Sequence, residues 1–195
     1  IPDRTTAASL DLAIRCAVNS QAKNPLGGWR YSPDDNSADT SVVGAVLMGL
    51  LACRNAGLEI PDATIDGSLE YMRRSTGASG YVAYSGGFGG GGESMNRSAV
   101  ATLVYAVSQT DEGDPKFRAT LEHITSRLEH NETGHPHYFV YYMAQALFQG
   151  DYEAWQKWNA ATIRKLESQQ SEDGSFGSDP YRTCMSLLAL ALNHR

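Results

Sequence analysis

Five tyrosines, Tyr105, Tyr138, Tyr141, Tyr142 and Tyr181, fall in or beside strongly apolar stretches of this sequence, with Arg97 and Arg182 close to them in the chain. An aromatic ring presents a negative face that stabilises a cation, and a planar guanidinium grips a diphosphate through paired N–H donors. Such a set could line a cavity for an isoprenoid or another apolar ligand. The same tyrosines could equally be packed core with their hydroxyls bonded to backbone, which is the more common use. Tyr31 and Asp35, in the stretch after Gly27-Gly28-Trp29, join the candidate ligand set. Asp34 and Asp35 with Glu93 are the one carboxylate group that could be weighed for glycoside hydrolysis, and Glu93 has no obvious partner for it. No Ser-His-Asp set, HExxH, dinucleotide fingerprint or EF-hand loop is present. Gly86-Gly87-Phe88-Gly89-Gly90-Gly91-Gly92 is followed by no Gly-Lys-Ser/Thr, so it is read as a loop rather than a phosphate cradle.

The elements that must position these residues show two alternating kinds of hydrophobic pattern. Four segments carry an apolar stripe at helical spacing: Leu10, Ile14, Ala17 and Val18; Ile65, Leu69 and Met72 after Pro61-Asp62; Phe117, Leu121, Ile124 and Leu128 after Pro115; and Trp155, Trp158, Ile163 and Leu166. Between them lie segments apolar almost all round, Val42–Ala56, Ala99–Val107, Tyr138–Phe148 and Cys184–Leu192. A helix without a polar face is buried on all sides or lines an enclosed space. No Val/Ile/Thr alternation suggests a sheet. The simplest packing is therefore all-α, with apolar helices inside and amphipathic ones outside, as in repeat arrays. Short glycine-containing connections, Gly27–Tyr31, Gly80–Tyr84, Gly134–Tyr138 and Asp173–Gly177, join outer to inner helices, most placing an aromatic where it can plug the gap between hairpins.

The bulk numbers bound the rest. At 195 residues the chain reads as one domain, able to bury roughly 70% of its unfolded surface. A formal net charge of −6 argues against a general nucleic-acid binder. No segment reaches the roughly 18 to 20 apolar residues a bilayer span needs; the longest, Val42 to Cys53, is broken by Gly44 and Gly49. Three cysteines without CxxC spacing, Cys16, Cys53 and Cys184, are expected as small buried hydrophobes. The opening at Ile1-Pro2-Asp3 is compatible with a removed targeting segment or further repeats, so compartment stays open, as does oligomeric state.

Gln21 to Trp29 resembles the glutamine–tryptophan repeat of squalene and oxidosqualene cyclases, and Ile163 to Gly177, with Leu166, Gln170 and Phe176, is similar to a second copy. Gly27–Ser41, Tyr138–Gly150 and Tyr152–Asn159 resemble bacterial prenyltransferase/squalene-cyclase-repeat proteins of unassigned activity, with protein prenyltransferase β-subunits as further relatives. The resemblance implies an α/α toroid or partial toroid of about four helical hairpins spanning residues 1–195. Its glutamine would tie adjacent outer helices and its aromatic would cap the following inner helix. A closed ring of six hairpins needs about 12 helices, so the chain is expected to be an incomplete or smaller ring, or part of a longer one.

The catalytic signatures of that family are altered here. Class II terpene cyclases donate a proton from the middle aspartate of Asp-x-Asp-Asp; the comparable Asn36-Ser37-Ala38-Asp39-Thr40-Ser41 keeps only Asp39, with Ala38 in the donor position. Asp39 is thus the remaining catalytic candidate, and a helix cap is its competing role. Prenyltransferase β-subunits hold zinc through Asp, Cys and His. Here Asp179-Pro180-Tyr181-Arg182-Thr183-Cys184 carries arginine at the histidine position, and His135 and His137 stand where the Asp–Cys pair would be. Those two histidines are the candidate metal ligands, although Arg182 would repel a cation and turn residues around Pro136 are the alternative. No cofactor is demanded, and zinc or magnesium is not excluded. The expectation is a prenyltransferase- or cyclase-like protein that binds an apolar ligand, as an enzyme or not, against a non-catalytic interaction domain as the rival.

Overall fold

Aspartates start half of the helices. The carboxylates of Asp39, Asp114, Asp151 and Asp179 accept backbone N–H groups at the first turns of four of them, satisfying donors a helix start leaves orphaned. Pro115, Pro136 and Pro180 sit at the first turn of three, where a missing N–H costs nothing. The computed structural model describes residues 4–85 and 94–194, with helices α1 (Arg4–Lys23), α2 (Thr40–Asn55), α3 (Asp62–Ser75), α4 (Met95–Val107), α5 (Pro115–Thr125), α6 (Pro136–Gly150), α7 (Tyr152–Gln169) and α8 (Pro180–Leu190), then a short 3-10 turn Ala191–His194. Among the described residues the only β-pairing is one isolated bridge, Thr76 with Val82. The protein is all-α. The glycine-rich stretch 86–92 and Glu93 lie outside the described residues.

The chain divides into two compact units. One holds residues 1–77 and 82–92, the other 78–81 and 93–195. In the first, α3 packs on both α1 and α2. The predicted stripe of α3 is realised, with Ile65, Leu69 and Met72 all buried. On α1 it is realised only in part: Ile14 is buried and Ala17 and Val18 are half-buried, but Leu10 is exposed, and Gln21 near the end of the helix bonds to α3. Gly28 lies where the chain passes over α2, and a Cβ there would stand 2.8 Å from Val43 Cγ2 and 2.9 Å from the Ala38 Cβ. Only glycine lets the strand-like segment come so close.

In the second unit α6 is central. It packs against α4, α5, α7 and α8, while α5 also packs on α4. Eleven consecutive residues of α4, Met95 to Tyr105, are buried, so the predicted apolar segment is enclosed from Ala99 to Tyr105 while Ala106 and Val107 are half-buried. Two of its polar members bond within the fold: Ser98 Oγ donates to the Gly80 carbonyl at 2.9 Å and Thr102 Oγ1 to the Ser98 carbonyl at 2.9 Å. Gly80 itself adopts φ +77°, and a Cβ would fall 2.1 Å from the Ala119 carbonyl oxygen of α5. Asp151 closes α6 and opens α7 at once, its N–H bonded to the Leu147 carbonyl and its side chain accepting from Ala154 N–H.

Three expectations need correction. Two segments are not buried all round: at Val42–Ala56, Ala45, Gly49 and Ala52 of α2 are exposed, and at Cys184–Leu192, α8 buries only Ser186 and Ala189, with Leu187 and Leu188 53% and 52% exposed. The contacts of α8 come from α6 and the terminal turn, so one face has no neighbour among the described residues. The cysteines are not small core hydrophobes either, since Cys16 and Cys184 are exposed on α1 and α8, and Cys53 is half-buried. Finally, Leu128 lies beyond the end of α5 at Thr125 and so belongs to the connection rather than to the stripe.

Candidate functional site

In the first unit the loop leading into α2 gathers polar groups round Asp39. Gln21, at the end of α1, directs its amide nitrogen to the Thr64 carbonyl at 2.7 Å, the Ser68 hydroxyl at 2.9 Å and the Gly27 carbonyl at 3.1 Å, so it braces α1 against α3. Trp29, buried, donates its indole N–H to the Ala17 carbonyl at 2.8 Å, and its own carbonyl accepts from Asp39 N–H at 2.9 Å. Glutamine and tryptophan together set the entry of α2.

Asp39 is fully buried at that entry. Oδ1 accepts from Ser41 N–H at 2.8 Å and Val42 N–H at 3.4 Å, and Oδ2 accepts from the Tyr31 hydroxyl at 3.3 Å. In every one of these bonds a side-chain oxygen of Asp39 accepts. Hydrogen bonding to Asp39 and then to Tyr31 pushes the Tyr84 phenol up to about 12. Arg30 caps the group, 5.8 Å from the ring centroids of both Tyr31 and Tyr84. Asp35 turns its carboxylate onto Ser32 N–H at 2.9 Å, and its carbonyl accepts from Asn24, while Asp34 is exposed. These are loop-shaping bonds. Asp39 serves as the helix cap and as an acceptor in these bonds.

The remaining candidates lie in the second unit and separate into three places. Tyr105 is wholly buried against Phe117, ring centroids 6.2 Å apart, which makes it packing between α4 and α5. Arg97 is buried with its guanidinium 5.8 Å from the Tyr81 ring. Tyr138, Tyr141, Tyr142 and Tyr181 do come together: Tyr142 stands 4.5 Å from the Tyr138 ring and 4.8 Å from the Tyr141 ring. Burial first, then the neighbouring phenols Tyr138, Tyr141 and Tyr181, hold the Tyr142 hydroxyl far above its ordinary pKa. Tyr181, at the exposed start of α8, is raised by partial burial and Asp179.

The chain matches no family model, no characterised protein and no solved structure. Its site must therefore be read from its own geometry.

A cavity of about 630 Å³ in the second unit opens between α6, α7, the start of α8 and the connection after α5. His137 and Arg182 line it, but none of the five tyrosines does. Its wall is Phe139, Val140, Trp158, Leu166 and Phe176, all buried. Phe139 meets Trp158 edge to face at 6.5 Å, and His130 stands edge-on to Phe139 at 5.5 Å. The polar lining includes Lys165, whose Nζ donates to Asn131 at 2.6 Å, with Glu132 and His130 3.5 Å apart. Burial pushes the Glu132 carboxyl up, but the Gly134 N–H and His130 outweigh it and hold it below its ordinary value.

His137 bonds the Ser186 hydroxyl through Nδ1 at 2.9 Å. Burial, then Arg182, then Lys165 hold its imidazole below the usual pKa of 6.5. Two cations reaching the ring oppose a third, and His135 is an exposed residue at the start of α6 that makes no cap bond. The pair does not fit a metal, and among the described residues no three His, Cys, Asp or Glu groups converge to hold one. Sequence reasoning missed Lys165, Trp158 and Phe139 as site residues. Trp158 and Phe139 carry only the ordinary helical-core signal, and nothing local marks Lys165 among surface lysines.

Proposed function

We propose that the chain is a toroid-type helical-repeat protein that holds an apolar, isoprenoid-like small molecule without the proton-donor or metal chemistry of cyclases and prenyltransferases. The observation that carries this reading is the cavity of about 630 Å³ in the second unit, walled by Phe139, Val140, Trp158, Leu166 and Phe176. Its size lies within the roughly 300–1,000 Å³ of small-molecule sites, and such sites are mostly apolar with few polar groups. The repeat reading draws support from Gln21 bracing α1 to α3, from Trp29 seated beneath the start of α2, and from α6 packing beside both α4 and α8. The non-catalytic reading draws support from Asp39, whose oxygens accept from two backbone N–H groups and Tyr31. Fold-level likeness is a weak warrant for chemistry, so the ligand claim rests on the cavity alone.

The test is binding of farnesol, squalene and farnesyl diphosphate, read by thermal unfolding and by Trp158 fluorescence, with the ligand recovered and analysed afterwards. Stabilisation with unchanged ligand is the expected result. No response to any of the three sinks the ligand reading, and turnover sinks the non-catalytic part.

A second reading, an interaction scaffold, is favoured by one feature: Tyr181, Leu187 and Leu188 of α8 are all exposed. Exposed apolar surface of this kind marks contact sites when it is contiguous. Sedimentation of wild type against Leu187→Lys/Leu188→Lys tests it, and identical monomeric behaviour without any bound partner would count against it.

A further inference from the structure

Resting on the cavity reading above, we propose that the cavity takes an amphiphilic anion, a carboxylate or phosphate head at the end lined by Arg182, Lys165 and His137 and a hydrocarbon tail against Phe139, Trp158 and Leu166. The lining is graded. Phe139, Trp158 and Leu166 are 4%, 5% and 2% exposed, whereas Arg182 and Lys165 are exposed at the opening. An apolar interior beneath a charged mouth is the complement of an amphiphile. A neutral ligand would gain nothing from the second half of it.

Two cations, Arg182 and Lys165, border the cavity. Among the described residues neither Arg182 nor Lys165 forms an ion pair; Lys165 has only the neutral Asn131 amide oxygen at 2.6 Å. Their field reaches His137, where it adds to burial in disfavouring the imidazolium. Two carboxylates also belong to the lining. Glu132 is committed, Oε1 accepting from Gly134 N–H at 2.8 Å and Oε2 facing His130 at 3.5 Å. Glu129 is exposed. The first turns of α6 and α8, at Pro136-His137 and near Arg182, both border the cavity, and helix starts carry partial positive charge. The Arg182 guanidinium can grip either head through paired N–H donors. His137 Nδ1 is engaged by Ser186, which leaves Nε2 for the head.

The experiment titrates the full chain below micelle-forming concentrations with dodecanoate, dodecyl phosphate, dodecanol and inorganic phosphate, reading Trp158 fluorescence against a Trp158→Phe reference. Charge-assisted hydrogen bonds predict that at least one anionic amphiphile binds about tenfold or more tighter than dodecanol. That margin should shrink at high salt and vanish in Arg182→Gln/Lys165→Gln. Both side chains are exposed, and retention of the wild-type melting profile confirms that the variant folds. Glu129→Gln, which removes negative charge from the lining, should tighten binding of the anions and leave dodecanol alone. Dodecanoate against dodecyl phosphate separates carboxylate from phosphate. Equal binding of dodecanol and both anions overturns the head-group inference and leaves the cavity reading standing. Inorganic phosphate binding as tightly as dodecyl phosphate overturns the amphiphile claim, because the tail would then contribute nothing. Silence from every probe removes both readings together.

Discussion

Replacing Gln21 by leucine isolates the brace between α1 and α3. The amide nitrogen has two hydrogens for three acceptors, Gly27 O at 3.1 Å, Thr64 O at 2.7 Å and Ser68 Oγ at 2.9 Å. Ser68 Oγ also donates to Thr64 O at 2.7 Å, so α3 keeps its own polar groups partly satisfied when the amide is gone. The Gly27 carbonyl loses a partner outright. Leucine has similar bulk, so packing changes little, and two lost bonds at about 0.5–1.5 kcal/mol each predict a cost of about 1–3 kcal/mol. For a chain of this size that lowers the melting temperature by roughly 2–12 °C, at about 2–4 °C per kcal/mol. Gln21→Glu should cost more at neutral pH, because a carboxylate would face carbonyl oxygens. Burial among acceptors raises the folded-state pKa of that glutamate. The variant should therefore be most stable below its unfolded pKa and lose stability as pH rises through the folded one. Calorimetry with hydrogen exchange on α1 and α3 reads both effects, and Gln156→Leu on the exposed side of α7 serves as the surface control. Should Gln21→Leu melt within about 0.5 kcal/mol of the control, the amide carries no bracing energy and the argument for it is wrong.

Gly80→Ala forces a side chain onto a φ of +77° and into the Ala119 carbonyl, so α5 must move; a loss of about 3 kcal/mol or more is expected in chemical denaturation. Asp39→Asn keeps a side-chain oxygen for the α2 cap, so stability should change by less than about 1 kcal/mol. The Tyr84 phenol should meanwhile fall from about 12 toward its ordinary 10.0, measured by phenolate absorbance against Tyr84→Phe. His137 binds a proton less readily in the fold than its ordinary 6.5. As pH drops through that value the unfolded chain takes the proton first, so stability declines on acidification; His137→Gln should flatten the slope, and an unaltered slope refutes the assignment. An anion seated beside Arg182 should raise the His137 pKa, visible in its NMR titration.

The alternation of pattern foretold the helices well because a helix advertises its buried side through its own spacing. Ile65, Leu69 and Met72 repeat on one face and are buried, and the apolar run of α4 is enclosed from Ala99 to Tyr105. Periodicity says nothing about whether a neighbour exists to meet that face. Leu10, Leu187 and Leu188 have the composition of core and the surroundings of surface. The cavity was hidden for a related reason. Its members come from the connection after α5, from α6, from α7 and from α8, positions 128 to 182, and only folding brings Lys165 and Arg182 to one opening. Tyrosine-rich α6 drew notice first, yet its rings meet each other tilted or edge-on and none of them lines the cavity. Chemistry-bearing residue types are visible in a sequence; which side of a helix they serve is decided by crowding.

Asp151 serves α6 and α7 together, leaving no spare residue at their junction. A hinge needs free dihedrals, and here there are none to turn without uncapping a helix. The Phe139 and Trp158 walls are thus joined through that one shared cap. Any widening that admits a guest must come from α8 or from the 126–135 connection. Adding residues after Gly150 should disable entry far more than lengthening the latter by the same amount.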